Sequence, residues 1–541
     1  MDFKLPIEYN NHHNVNEVIK KDLEMDLLYE GIFKKSPLKN KWIENYSTDK
    51  TFLKESQLLF KSYNYKSFTL KEFYENEYQY VINEKNFNDK YQYLNINVLL
   101  PLNESFIFMQ TLSYYNLLSP LFSLCMPLLI LIIPFFILKI KGIELSIHSY
   151  KDYIYNLLKN TSMYKLFSNE ISSQQRSSYF ISFIFYIFQI YNNIISCISF
   201  YKNIHFIYDF IELYKNYCTN SIDLIENIEM NVNSYDSYSK FLTQNNKHKE
   251  TLIQLRDKLN IIFPYKNTLS ILSQIGYIMT SFYTLFYNKQ YKDAIVYCYY
   301  LNEFNDDIHK VTLLLNNKKL NMCKFDSNKN TRFKKNYYLN HMNEKTIKND
   351  IIINENIIIT GPNASGKTTL LKSILLNLIL SQQIGMGCYE KSNIKLYDYF
   401  HSYLNIPDTS ERDSLFQAEA RRCIDILEFV KENKDKRHFC IFDELYSGTN
   451  PKDAVECAKL YLKGLTMENN TEFILTTHYT ELCNYFDKKE WNDKIQNLLM
   501  YVIEHKDKIE FTYKINKGIS NVCGGKYILK DLDYPEYLFN L

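Results

Sequence analysis

The residues best suited to chemistry begin at Gly361. Gly361, Pro362, Asn363, Ala364, Ser365, Gly366, Lys367 and Thr368 follow the pattern glycine, four free positions, glycine, lysine, hydroxyl, with Thr369 next in line. The glycines let a loop turn its backbone N–H groups onto a phosphate. A helix starting there adds the positive end of its dipole. In such a loop Lys367 reaches the β- and γ-phosphates, and the Thr368 hydroxyl takes a place on Mg²⁺. The pattern predicts a site for ATP with Mg²⁺.

Two further clusters suit the same chemistry. His438-Phe-Cys-Ile-Phe-Asp443-Glu444 is an apolar run ending in two carboxylates. As a buried parallel strand it presents them at its C-terminal end, where open α/β sheets bind ligands. Asp443 suits Mg²⁺, and Glu444, one residue on, suits orienting or deprotonating an attacking water. Phe473-Ile-Leu-Thr-Thr477 reads as a third strand and ends in His478, placed to sense a γ-phosphate.

These residues need a layered domain to hold them. Apolar strand-like runs at Ile351–Thr360, His438–Phe442, Glu472–Thr477, Leu498–Ile503 and Ile509–Ile515 alternate with helical runs at Thr368–Leu380 and Pro451–Leu465. That alternation predicts an α/β domain over 351–541. A basic, Asn-rich connector carrying its first strands is expected over 311–350. Residues 1–310 read as helical; Val15, Val18, Ile19, Leu23 and Leu27, for example, fall on one helical stripe. The expected class is therefore α plus α/β.

The three strand ends together resemble the ATPase domain of the MutS family of DNA mismatch-repair proteins, a branch of the ABC-type ATPases. Thr360 to Thr369 resembles T-G-P-N-x-x-G-K-S-T, in which Pro-Asn is the family's particular mark. Asp443-Glu-Leu-Tyr-Ser-Gly-Thr449 resembles D-E-x-x-x-G-T, and Thr476-Thr-His-Tyr-Thr-Glu-Leu482 resembles T-T-H-[FY]-x-E-L. Ser414-Leu-Phe-Gln-Ala-Glu419 resembles S-x-F-x-x-E, Gln383-Ile-Gly385 a Q-I-G element, and Gly518-Ile-Ser520 with Gly525 and Pro535 a glycine-rich C-terminal run. Ala364-Ser365 stands where the family has Met-Gly, and Tyr446-Ser447 where it has Gly-Arg.

The resemblance implies a P-loop ATPase domain with a mixed sheet flanked by helices, preceded by a helical core or lever. It assigns Glu444 as catalytic carboxylate, His478 as γ-phosphate sensor and Thr368 and Asp443 as Mg²⁺ ligands. Ser414 acts across a homo- or heterodimer on the partner's nucleotide. It also implies double-stranded DNA as partner, repair or recombination as process, and a cytoplasmic or nuclear location. Separate mismatch-reader and connector domains are not expected. Phe73-Tyr74-Glu75 has the form of the family's mismatch wedge, but it lies in a charged helical run of a chain rich in Tyr and Phe and reads as chance. Asp223–Leu259 is a candidate for clamp helices or a plain solvated pair.

Composition constrains the rest. Lys plus Arg is 63 and Asp plus Glu 61, so net charge advertises no nucleic-acid partner. The 11 cysteines are dispersed without zinc-like spacing, as expected of reduced cytosolic thiols, and the polar first residues do not read as a signal peptide. Two runs stand apart: Leu117–Leu138 and Ser177–Tyr201 carry no charge. Each is long enough to span a bilayer. Pro120, Pro127 and Pro134 in the first, and Gln189, Asn192 and Asn193 in the second, argue for a buried core instead. So do Lys139, Lys141, Lys151, Lys159, Lys165 and Arg176 between them, which would hold the intervening loop in the cytosol. Both readings stay open. With a membrane, the alternative function is a tethered ABC-type ATPase acting on a protein or lipid partner without mismatch recognition.

Overall fold

A computed structural model describes residues 3–535, apart from 143–146, 161–163, 166–172, 265–267, 327–329, 340–345, 405–414, 492, 506–508, 523, 526, 528, 530–531 and 533. The chain forms two compact units. The first comprises residues 1–68, 224–247 and 299–541, and the second 69–223 and 248–298.

The first unit holds all the strands described. They are β1 (His12–Asn14), β2 (Asn45–Ser47), β3 (Asn321–Phe325), β4 (Thr331–Asn336), β5 (Asn349–Ile353), β6 (Asn356–Thr360) and β7 (Met386–Gly387). Then follow β8 (Lys391–Ile394), β9 (Tyr399–Tyr403), β10 (His438–Asp443), β11 (Thr471–Thr477), β12 (Ile495–Glu504) and β13 (Ile509–Lys517). The main sheet has the order β13-β12-β6-β11-β10-β9. Every neighbouring pair in it is parallel except β12 with β13.

Its central strands are buried on both faces, the reason they read as unbroken apolar runs rather than alternating ones. Ile357–Ile359, Phe439–Phe442 and Phe473–Leu475 are all buried. Ile358, Cys440, Phe442, Phe473 and Leu475 form one core with Cys423, Ile426, Ala454, Ala458 and Leu462 from the helices Leu415–Glu432 and Pro451–Thr466.

One expectation for the strands changes. The run 351–360 is two strands: β5 pairs with β4 in a second sheet of order β5-β4-β8-β3-β7, while β6 enters the main sheet. Asn354 and Glu355, between them, carry the chain across. The expected connector over 311–350 supplies β3, β4 and the start of β5.

The units also divide the chain differently from the expected boundaries at 310 and 351, because residues 1–68 fold with the nucleotide-loop domain. Their anchor is a set of buried amides. Gln57 Nε2 donates to the carbonyls of Gly385 (2.6 Å) and Cys323 (2.8 Å), Gln383 Nε2 donates to Trp42 O at 2.6 Å, and Tyr29 donates to Gln383. Buried amides must be paired, so these bonds tie the segment to the helix Lys367–Ile384. The helical stripe from Val15 ends early. Glu24 takes a left-handed φ of 53°, splitting the helix, and Leu27 is exposed. The candidate clamp helices meet at a turn that is likewise bound within this unit: Glu55 accepts from Ser237 N at 3.0 Å, and Ser56 and Tyr238 share a hydroxyl contact at 2.9 Å. A turn so held is not the free tip of a clamp.

The second unit is helical, with Phe106–Ile140, most of Ser173–Val232, and Thr268–Tyr287. Aromatic rings fill its core. Phe87 stacks on Phe286 with centroids 3.7 Å apart, and Phe210 meets Phe282 edge-on. Phe73 belongs to this core, against Phe210, Tyr214 and Tyr217. Buried in this way, it has no free face to set beside a base. The described residues of the uncharged runs, the buried Phe200 apart, are by contrast not core. Leu121, Phe122, Met126, Ile133, Phe185 and Phe188 are all exposed, which overturns the buried-core reading for the described residues. The prolines do not interrupt the first run either, since one helix passes through all three.

Candidate functional site

β6 ends at Thr360, and the chain turns through Gly361–Gly366 into the helix Lys367–Ile384. The turn needs two left-handed residues, Ala364 at φ 63° and Gly366 at φ 91°. Gly366 supplies the second without strain. A Cβ at Gly361 would lie 2.8 Å from Ser365 Oγ and 2.9 Å from Met500 Cβ, so the loop closes only with glycine there.

The C-terminal ends of β6, β10 and β11 bring the expected residues together. Thr368 Oγ1 donates to Asp443 Oδ2 at 2.6 Å, and Thr476 donates to the other oxygen of the same carboxylate. Lys367 is buried and donates to the carbonyls of Gly361 (3.0 Å) and Pro362 (3.3 Å). Burial lowers the pKa of its ammonium, and the carboxylates of Glu444 and Asp443 oppose that shift. Glu444 follows β10 in a left-handed conformation, φ 54°, with its N–H on Thr476 O at 2.9 Å. His478 Nδ1 lies 3.5 Å from Glu444 Oε1. The hydrogen bond from His478 is the main influence holding the Glu444 carboxyl below its usual range, with charge from His478 and Lys367 adding to it against the effect of burial. Non-glycine residues rarely adopt this φ, and such conformations concentrate at working sites.

Lys367, Thr368 and Glu444 border a cavity of about 680 Å³, lined by Asn363–Leu370, Glu444 and, on the other side, Tyr337, Tyr338, Ile347, Met500 and Tyr513. Within it the buried Ser365 hydroxyl has no hydrogen-bond partner among the described residues, as a group facing a ligand or water would. The donor set fits a nucleotide with Mg²⁺: an ammonium and backbone N–H groups for phosphate, and hydroxyl and carboxylate oxygens of the kind Mg²⁺ takes. Residues 357–539 match the family model described as MutS domain V.

These residues form a MutS domain V.

The chain is similar to the DNA mismatch repair protein MutS of Prochlorococcus marinus (strain MIT 9312), 33% identical over 186 residues, which are 34% of this chain and 20% of that protein. The MutS proteins of Bacillus thuringiensis (strain Al Hakam) and Bacillus cereus (strain 03BB102) are each 26% identical over 197 residues, 36% of this chain and 21% of theirs. The chain spans about a fifth of the length of the curated relatives it matches.

Within the MutS domain V, Ser414 lies outside the described residues, but its neighbours are placed. A Cβ on Gly448 would meet Leu415 Cγ and the Phe416 backbone nitrogen, both at 2.8 Å, so the turn after Glu444 packs directly against the start of the helix Leu415–Glu432. Glu419 locks that packing. Buried, it accepts from Ser447 N (3.0 Å), Ser447 Oγ (2.8 Å) and Gly448 N (3.1 Å). Its role was not assigned from the sequence, although it closes a quoted motif. Thr476, and the aromatic wall of Tyr337, Tyr338 and Tyr513, were also missed as site residues. The tyrosines come from segments read as connector and edge strand, with no local mark of a site. The C-terminal run meets the loop through Ser520 N, which donates to Thr360 Oγ1 at 2.8 Å. There the close approach belongs to Gly524, whose Cβ would lie 2.8 Å from Pro362 Cβ, and not to Gly525, which has nothing within 4 Å.

Replacing Glu419 with Ala leaves two backbone N–H groups and the Ser447 hydroxyl without their charged acceptor. Loss of such bonds costs roughly 3 kcal/mol. Amide exchange at Ser447 and Gly448 is therefore expected to speed up about 100-fold, with the amides of β11 unchanged. Equal protection in wild type and variant would show that another contact holds the turn.

Proposed function

We propose that this chain is an ATP-hydrolysing, DNA-associated member of the MutS family that works as a dimer. The observation that carries the reading is the cluster at the ends of three parallel strands: Lys367, Thr368 and Glu444 line one cavity, with Asp443 bonded to Thr368 and His478 against Glu444. Gly361 to Thr369 hold the triphosphate, with the backbone N–H groups and the Lys367 ammonium set against its charge. Thr368 and Asp443 hold Mg²⁺, which would supply charge neutralisation at the phosphates. Glu444 is the base: ionised at neutral pH, it takes a proton from the attacking water while His478 orients it and faces the γ-phosphate. Ser414 completes the nucleotide site of a second protomer, so hydrolysis and closure of the pair are one event. The pair is a homodimer, or a heterodimer with a related ATPase, and its closure alters the grip on double-stranded DNA during repair or recombination in cytoplasm or nucleus.

The test is a gel-shift series with homoduplex, mismatched and branched DNA at low salt, with and without ATP. Binding that changes with ATP is expected. No binding to any of the three would overturn the DNA reading and leave the ATPase reading standing. A second reading has one observation in its favour: the exposed apolar helices of the second unit fit a tethered ATPase that engages a lipid or protein partner without reading mismatches.

A further inference from the structure

The second unit holds two helices whose surfaces are the reverse of a soluble protein's. On Ser173–Val232 the apolar stretch has mean hydropathy 1.5 and is unburied, and the helix is long and apolar enough to cross a membrane. Phe106–Ile140 lies beside it and antiparallel. Cys197 Sγ reaches Leu117 O at 3.2 Å, and Asn193 Nδ2 donates to Ser123 Oγ at 2.6 Å. This register sets 117–138 alongside 177–197, so the two uncharged stretches coincide.

Several polar groups of the pair turn inward, and two of them are matched to the prolines Pro120 and Pro127. Pro120 and Pro127 have no N–H to give the carbonyls of Asn116 and Ser123, four residues earlier. Ser119 Oγ donates to Asn116 O at 3.0 Å, and Tyr186 on the other helix donates to Ser123 O at 2.8 Å. In water such carbonyls are satisfied by solvent. Repair by side chains of the same and the neighbouring helix is what a medium without water requires. The outward-facing Gln189 and Asn192 are neutral amides.

We infer that the paired bands 117–138 and 177–201 embed in a lipid bilayer. At about 1.5 Å per residue the common band is roughly 33 Å long, against the roughly 30 Å of a bilayer's hydrocarbon core. A protein partner would cover a limited patch, whereas here exposed apolar side chains run along both helices, from Leu118 to Ile137 on one and from Phe180 to Ile198 on the other. The ends carry interfacial groups: Lys139, Lys141 and Arg176 beyond one, Tyr114, Tyr115, Tyr201 and Lys202 at the other. The inference stands whether or not the ATPase reading holds.

The experiment uses the full chain with two kinds of vesicle, phosphatidylcholine alone and phosphatidylcholine with phosphatidylserine. Wild type is expected to float with both and to resist extraction by alkaline carbonate. Met126→Lys with Phe188→Lys puts two charges near mid-band at exposed positions, 56% and 57%, where no core is disturbed. Each lysine is expected to lower the inserted fraction on the order of 100-fold, while retained ATP binding reports that the variant is folded. If the variant does not bind ATP, flotation and carbonate resistance of the wild type alone decide. Three results overturn the inference. One is a chain that never floats. Another is flotation only with phosphatidylserine and release by carbonate, which marks a peripheral charge contact. The third is a soluble oligomer that the lysines dissociate, which makes a second copy the occupant.

Discussion

Glu444→Gln is expected to keep ATP bound and to slow its hydrolysis by about 10²-fold or more. Glutamine has the size of glutamate but cannot accept the water's proton, so the substitution separates holding from cleaving. The backbone there is set by β10 and by the bond from Glu444 N–H to Thr476 O, and the exchange leaves both in place. His478 and Lys367 hold the carboxyl below its usual range, so wild-type Glu444 is ionised and able to act as a base at neutral pH. Phosphate release with retained radiolabelled ATP reads the two halves. The slow variant should also accumulate as a closed dimer on a sizing column when ATP and Mg²⁺ are present. Unchanged turnover removes Glu444 from the role of base.

Lys367→Met is expected to weaken ATP binding about 100-fold, the scale of one or two charge-assisted hydrogen bonds lost from a buried site. Among the described residues lining the cavity it is the only ammonium. The same substitution should not destabilise the nucleotide-free protein. Burial lowers the lysine's pKa from its ordinary 10.5, so the folded state disfavours the charge. That cost is fully present below the lowered folded pKa and fades as pH rises towards the ordinary value. Methionine removes it. Thermal melts without nucleotide should therefore match or exceed wild type at neutral pH, and added Mg-ATP should no longer raise the midpoint. A variant that melts lower without nucleotide would give Lys367 a structural role beyond the ligand.

The half that carries the glycine loop was legible because its signals are local. A glycine loop, a strand-end Asp-Glu and a strand-end His each follow from a short stretch whose apolar run must be buried on both faces. Strand and helix limits agree with the structure to within a few residues: His438–Phe442 became His438–Asp443, and Pro451–Leu465 became Pro451–Thr466. The run 351–360 misled because β5 and β6 are both β-branched and apolar, and only their partners put them in different sheets. The N-terminal 68 residues misled for a related reason. Gln57, Gln382 and Gln383 look like ordinary polar residues, and their meaning lies in the distant carbonyls they satisfy, such as Gln382 Nε2 on Tyr397 O at 2.9 Å.

The apolar runs mark the limit most clearly. Hydropathy is the same for a core helix and a bilayer helix, and prolines and amides weighed against the bilayer while their partners were unknown. Once Tyr186 is seen on the carbonyl that Pro127 leaves open, and Ser119 on the one that Pro120 leaves, these prolines fit a helix pair that repairs both carbonyls without water. By itself the sequence determined which groups gather at the glycine loop and the strand ends, because loop, strand end and helix start are set by neighbours along the chain. Only the tertiary structure decided which segments share a unit, what Glu419 holds, and which apolar surfaces stay uncovered, because burial and hydrogen-bond satisfaction depend on residues far apart in the chain.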